Sequence, residues 1–262
     1  LIVLVAISLL GFVDDLFGKL GHLIRLYFNI FAIFILLYTN EIFLFETTNI
    51  NTINLILEYK LISYFITIFI IVGFINASNI SDGANGILSG ISTIIFLIFY
   101  FETRNLIYFA LFEIILFFFL YNIIIGKVYL GDAGSYLLGF LISTNSLYLY
   151  NENILPAGLL ACILCYPSIE VLMSISRRLF KMQNPLLPDN FHLHNLIHDK
   201  LKKNKLLSPY SNSITGLIIL LLFSIPCFLI YFFLPKDLFY LFWILFLIQF
   251  ITYIIIYRYI KN

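Results

Sequence analysis

The sequence predicts an all-α integral membrane protein, a polytopic helical bundle of about nine transmembrane helices with the first one partial, forming a single domain over residues 1–262. Three observations predict it. Hydrophobic residues make up 62% of the chain and charged residues 11%, whereas a soluble domain carries about 25% charged residues to face water. Mean hydropathy is +1.02. The apolar runs are continuous rather than alternating, which excludes a lipid-facing β-barrel. A formal net charge of +1 gives no broad basic field, so nucleic acid is not an expected partner and phosphate must be held by local groups.

A helical span takes roughly 20 apolar residues. In chain order, Leu1–Val13 is apolar but short; the chain begins inside a helix, so upstream sequence is expected. Eight fuller stretches follow at Leu23–Tyr38, Leu61–Ala77, Ile87–Phe101, Leu106–Ile125, Tyr136–Tyr150, Ile154–Ile175, Ile214–Phe233 and Leu238–Tyr257. The pair Cys162-x-x-Cys165 and Cys227 fall inside apolar helices and read as packing residues. Glu113 and Glu170 are ionisable residues within spans and therefore functional candidates. Glu170, two turns before Arg177 and Arg178, is expected to approach the site side of the membrane, whereas Glu113 has no partner legible in the sequence.

Lys and Arg are counted to orient such a chain. With Val13 ending at the cytoplasmic face, twelve of the fifteen fall inside, Lys19 and Arg25 among them, and Lys60, Arg104 and Lys236 fall outside. That places the protein in the plasma (inner) membrane as a multi-pass protein whose longest loop, about 176–213, is cytoplasmic. Membrane lipids are its surroundings, and the loop lysines suit anionic headgroups.

Four polar clusters then fall on the cytoplasmic face: Asp14-Asp15 between Gly11 and Gly18; Asn79-Ile80-Ser81-Asp82-Gly83-Ala84-Asn85-Gly86; Gly131-Asp132-Ala133-Gly134-Ser135; and Pro188-Asp189-Asn190-Phe191-His192-Leu193-His194. Paired carboxylates bind a hard cation or divide acid and base work. The alternative for Asp14-Asp15 is helix-end solvation, against which the flanking glycines permit close backbone approach. Asn79, Asp82 and Asn85 recur every three residues, which on a near-helical turn puts them on one face; a helix cap needs only one such residue. The glycines around Asp132 predict a nest of N–H groups for phosphate at a helix start, with Asp132 placed for Mg²⁺, and a simple cap is the alternative. His192 and His194 can donate to phosphate oxygens or move protons, and their spacing is not that of a zinc site.

These four segments, in this order, resemble the polyprenyl-phosphate N-acetylhexosamine-1-phosphate transferases, glycosyltransferase family 4, with WecA-like and MraY-like members. The resemblance rests on Asp14-Asp15, Asn79-x-x-Asp82-Gly83-x-Asn85-Gly86, Gly131-Asp132-x-Gly134-Ser135 and Pro188-Asp189-x-x-His192-Leu193-His194. It implies transfer of a sugar 1-phosphate, GlcNAc-1-phosphate in a WecA-like enzyme, from a UDP-N-acetylhexosamine to undecaprenyl phosphate with release of UMP. Such a step starts cell-wall or lipopolysaccharide (O-antigen) glycan synthesis. It further implies Asp132 as the main Mg²⁺ ligand with Asn79 as a second, Mn²⁺ being able to substitute. Asn79, Asp82, Asn85 and Asp189 would bind substrate, Asp14 and Asp15 would hold and deprotonate the lipid phosphate, and His192 and His194 would engage the diphosphate. A homodimer is an allowed assembly.

The histidine loop is WecA-like, although Asn195 replaces a third histidine and Glu170 stands where Asp is usual. Two further spans upstream of Asp14 would give the eleven of that type, and a chain without them is expected to be inactive or weakly active. The alternatives are an MraY-like phospho-MurNAc-pentapeptide transferase, a polytopic transporter and an inactive membrane scaffold. A transporter predicts charged or broken segments near the midplane, whereas here the clusters lie at helix ends.

Overall fold

The computed structural model describes all residues except 19, 49, 183, 185–189 and 262, with no side-chain description for 236 and 237. Among the described residues it is helical without strands: α1 (Ile2–Phe17), α2 (His22–Thr39), α3 (Asn51–Leu57), α4 (Lys60–Ser81), α5 (Ile87–Thr103), α6 (Leu106–Ile125), α7 (Gly131–Asn151), α8 (Ala157–Ile163), α9 (Cys165–Phe180), α10 (Leu193–Lys202), α11 (Ser211–Ile219), α12 (Ile225–Phe233) and α13 (Phe242–Lys261). The chain divides into two compact units, Leu1–Asn79 with Leu130–Leu155, and Ile80–Tyr129 with Pro156–Asn262.

Every stretch expected to span the membrane contains helix, but the expected count of about nine is not supported. Five segments of the described chain are long and apolar enough to cross: His22–Thr39, Lys60–Ser81, Leu106–Ile125, Ser208–Phe233 and Leu238–Lys261. The broken pair α8 and α9, bent by 73°, makes a sixth if it is one span. The overcount has physical causes. α1 and α5 hold 16 and 17 residues, short for a hydrocarbon core about 30 Å thick. α7 is long enough but polar, with Ser143 and Thr144 returning hydrogen bonds to the carbonyls of Gly139 and Phe140, and much of it is covered by protein. The α8–α9 break follows from Pro167, whose ring excludes the carbonyl four residues earlier; α8 ends there, at Ile163.

In the first unit α1 lies along α7, and Ile7, Ile33, Leu37, Ile71, Ile75, Tyr136 and Phe140 form the core. Gly11 lets α1 approach closely: a Cβ there would sit 2.5 Å from the backbone of Asp132 and Ala133. At the other end Asn151 donates to the carbonyls of Ile42 and Leu44, tying an extended loop to α7. The acidic pair at the end of α1 is thereby fixed against the start of α7.

In the second unit α5 packs on α6. Asn122 of α6 accepts from Gly86 N–H and donates to Val128 O, so one amide ties the turn that enters α5 to the turn that leaves α6. α11 runs through a wide helical turn at Leu220–Ser224 into α12, an arrangement that accommodates Pro226. Gln249 of α13 donates to Phe223 O and Cys162 O. Interhelical polar bonds of this kind contribute on the order of 0.6 kcal/mol each in a membrane. All three cysteines are free and buried. Glu113 is exposed on α6.

Candidate active site

α1 ends in a left-handed cap, Gly18 at φ +56, whose N–H bonds the Asp14 carbonyl, and this leaves Asp14 and Asp15 on the last turn facing the start of α7. The two neighbours do different work. Asp15 accepts from the backbone N–H groups of Asp132 (2.8 Å) and Ala133 (3.0 Å), a carboxylate bound to the positive end of a helix. The expected phosphate nest at this turn is therefore already filled by a side chain of the chain itself. Gly131, at φ +65, lies so close that a Cβ would meet the Asp15 carboxylate at 2.5 Å; only glycine suits it.

Asp14 points instead at a cation. Arg25, on the first turn of α2, places one nitrogen, Nη1, 2.6 Å from Asp14 Oδ2 and 2.6 Å from Asp132 Oδ2. Asp14 also accepts from Leu20 N–H at 3.1 Å. The other oxygen of Asp132 accepts from Asn79 Nδ2 at 2.6 Å, and Asn79 reaches Ser135 Oγ at 3.1 Å. Burial pushes the Asp132 carboxyl above the usual carboxylate range, opposed by the Asn79 and Arg25 donors and aided by the hydrogen bond its protonated form gives to Asp14. Two carboxylates this close need positive charge nearby to stay ionised.

The oxygens of this cluster come from Asp14, Asp132 and Ser135, Asn79 turns its amide nitrogen to Asp132 and Ser135, and two of its carboxylates already converge on one positive nitrogen. That chemistry fits a hard divalent cation. No group of three or more His, Cys, Asp or Glu suited to a metal occurs among the described residues. Mg²⁺ typically takes one or two carboxylates and completes its shell with water and substrate phosphates, so the residues present fit that ion.

The remaining motif residues belong to the second unit. Asp82 is half-buried in the turn after α4, and Asn85 is buried farther along it. The helix ends at Ser81, so the expected shared helical face of Asn79, Asp82 and Asn85 does not form. Asn85 N–H bonds Asn212 Oδ1, its Oδ1 accepts from Asn212 Nδ2, and its Nδ2 reaches Ser213 Oγ. With both ends of its amide engaged, Asn85 staples the turn to α11. Asp189 lies outside the described residues.

His192 and His194 sit at the start of α10, both buried. Their rings are parallel within 6°, with centroids 5.4 Å apart. His192 Nδ1 lies 3.0 Å from Glu170 Oε2. His194 Nδ1 lies 3.0 Å from the hydroxyl of Tyr166, which donates to Glu170 Oε1 at 3.1 Å. Burial, the largest cause, lowers the His194 pKa to about 4 against the attraction of Glu170. Gly83 lies against this ring: a Cβ would overlap His194 Nε2, which accounts for a glycine beside Asp82.

Sequence reasoning missed two participants, Arg25 and Tyr166, and the partners of a third. Arg25 reads as one more inside-facing cation, and only its contacts with residues 11 and 107 positions away reveal it. Tyr166 carries no signal in the sequence at all. Glu170 is legible as an intramembrane carboxylate, yet its partners prove to be His192, Tyr166 and Leu193 N–H.

The glycosyl transferase family 4 model matches residues 1–150, more than half the chain, taking in the acidic pair, the Asn79–Gly86 motif and the Asp132 turn but not the histidines. The chain is 36% identical over 136 residues to the undecaprenyl-phosphate α-N-acetylglucosaminyl 1-phosphate transferase of Thermotoga maritima, covering 52% of this chain and 43% of that protein. It is 33% identical over 147 residues to the protein of the same name from Escherichia coli K12, covering 51% and 40%. The Salmonella typhi protein of that name is 34% identical over 152 residues, with the same coverage. The match thus spans about two fifths of the length of these relatives. No solved structure matches. On the family match, the chain belongs to glycosyl transferase family 4.

Proposed function

We propose that the protein transfers a sugar 1-phosphate, GlcNAc-1-phosphate by analogy with its named relatives, from a UDP-sugar to undecaprenyl phosphate, releasing UMP. The observation that carries this reading is the convergence of Asp14 and Asp132 on one cationic nitrogen, with Asn79 on the remaining oxygen of Asp132, all within the stretch the family match covers.

The reaction joins two anions, so the chain must supply positive charge and alignment; covalent work by the protein is slight. Asp15 holds the start of α7 so that Asp132 keeps its position. Asn79 fixes the rotation of the Asp132 carboxylate. Asp14 is the carboxylate placed to hold the lipid phosphate and take its proton, and Arg25 keeps a cation beside it. Asp132 and Asn79 would hold Mg²⁺, or Mn²⁺, which when bound neutralises charge on the diphosphate. Asp82 contacts the nucleotide, and His192 and His194 engage the diphosphate. The excess of Lys and Arg in one set of loops supports a cytoplasmic site in the plasma membrane, where a soluble nucleotide meets a lipid phosphate without crossing hydrocarbon. Such a step would start a cell-surface or cell-wall glycan.

The test incubates membranes carrying the full-length protein with labelled UDP-GlcNAc, undecaprenyl phosphate and Mg²⁺. The expected result is a labelled lipid product with equal UMP, absent in Asp132→Asn. A product formed equally well by that variant would remove Asp132 from the role, and no product with any UDP-sugar would end the transferase reading.

A further inference from the structure

Glu170 is fully buried on α9, and its carboxylate is surrounded by donors. Oε1 accepts Leu193 N–H at 2.8 Å and the Tyr166 hydroxyl at 3.1 Å, while Oε2 faces His192 Nδ1 at 3.0 Å. An ionised carboxylate only accepts, so the hydrogen in each contact belongs to the partner. His192 therefore carries its proton on Nδ1. The phenol has a single hydrogen, and pointing it at Oε1 leaves the phenol oxygen as an acceptor toward His194 Nδ1, 3.0 Å away. The reverse direction would set an oxygen lone pair against the carboxylate. His194 thus also carries hydrogen on Nδ1, although it lies 3.9 Å from Glu170 Oε1, too far for a direct bond.

We propose that Glu170 is a positioning residue that locks His192 directly, and His194 through the Tyr166 hydroxyl, in the Nδ1–H form, so that both imidazoles work through Nε2. Free imidazole side chains favour the opposite tautomer, and the tautomer of a functional histidine is set by what its other nitrogen bonds. The parallel stack of the two rings is what two imidazoles hung from one carboxylate would show. The Nε2 atom of His194 rests against Gly83, beside Asp82. Its consequence for the chemistry, which rests on the transferase reading, is a division of labour. His194 stays neutral near pH 7 and presents a lone pair, so donation to a phosphate oxygen falls to His192, which must be protonated to donate from Nε2.

The experiment is nitrogen NMR of the full-length protein, labelled with ¹⁵N-histidine in nanodiscs at pH 8, with His192→Gln and His194→Gln assigning the signals. Both histidines are expected as Nδ1–H. Tyr166→Phe, which keeps the ring and removes the relay, should release His194 alone, and Glu170→Ala should release both. In the transfer assay Glu170→Ala is expected to lose about 10- to 100-fold in kcat, as supporting residues of a site typically do, with Glu170→Asp recovering part of it. An Nε2–H signal for His194 in the unmodified protein, or one unmoved by Tyr166→Phe, would overturn the proposal. Should Glu170→Ala fail to fold, Tyr166→Phe still decides it. A protein with no transfer activity but these tautomers would sink the transferase reading and leave the positioning role standing.

Discussion

The acidic cluster of the first unit and the imidazole cluster of the second are both organised by carboxylates, yet they solve opposite problems. Asp14 and Asp132, with side chains 11% and 24% exposed, surround a charge supplied by a side chain 25% exposed. Glu170 is fully buried, and each hydrogen it meets comes from a group fixed by packing. A pair of carboxylates that still reaches solvent can exchange its counter-ion with it. A buried carboxylate cannot, and what it provides instead is orientation. The difference teaches that proximity of charge alone does not identify the group that reacts; exposure and the number of fixed donors separate exchangeable from positioning carboxylates.

The largest expected effect lies at the exchangeable cluster. Asp132→Asn keeps the shape and removes the charge, and should lower transfer by about 100-fold or more, the size seen when a charge-stabilising group is removed. Manganese titration by EPR should show the bound signal lost in the same variant. If transfer falls while Mn²⁺ affinity stays unchanged, the cluster acts by orientation after all and the contrast with Glu170 collapses.

Acid should distinguish the two regions next. The His194 pKa is depressed to about 4 by burial, while an unfolded histidine titrates near 6.5. As pH falls, the unfolded chain takes up the proton first, so this group's contribution is intact above about 6.5, is lost between there and about 4, and is constant below. The full difference is about 3 kcal/mol. Thermal unfolding in detergent should show a steeper loss of Tm across that window in the native protein than in His194→Gln, and equal slopes would remove His194 from the account.

Close packing gives a third comparison. Gly11 abuts backbone of α7, and Gly83 abuts the anchored His194 ring. Alanine at either should cost roughly 1–3 kcal/mol, as overpacking does. The functional readouts should part: Gly11→Ala should weaken Mn²⁺ binding by shifting Asp14 from Asp132, and Gly83→Ala should leave Mn²⁺ binding intact and disturb the His194 nitrogen signals. Loss of Mn²⁺ binding in Gly83→Ala would show that the two clusters are not separable.

How much of this was legible in the sequence varies with the distance over which each contact forms. The acidic pair, Asn79 and Asp132 could be read from residue type and flanking glycine, because they recur in clusters where a cap needs only one such residue. The break at Ile163 could have been read from Pro167, four residues on, since the proline ring acts locally. Arg25 could not, because a cation near a membrane surface has an ordinary explanation in topology and its role depends on α1, α2 and α7 meeting. Asp15 illustrates the same point. Its neighbour Asp14 is chemically identical, and only the start of α7 assigns one to the helix end and the other to Arg25. The number of spans was overestimated because apolar composition does not distinguish residues facing lipid from those facing protein.

The smallest predicted effect probes what Arg25 contributes. A guanidinium usually earns its place by a two-pronged grip on a carboxylate, but here a single nitrogen, Nη1, meets both Asp14 and Asp132. A point charge would serve nearly as well, so Arg25→Lys should change Mn²⁺ affinity and transfer by no more than about threefold, within the range of surface ion pairs. Arg25→Gln removes the charge altogether. Relief of repulsion by one charge on the order of 4 Å from a bound cation amounts to roughly 1 kcal/mol or more, so Mn²⁺ should bind at least about fivefold tighter while transfer falls for want of a cation beside the lipid phosphate. Tighter metal with weaker transfer is the signature of a counter-ion that yields its place during the reaction. Were Arg25→Lys as damaging as Arg25→Gln, the fork geometry would matter, and the first cluster would be a positioning device like the second.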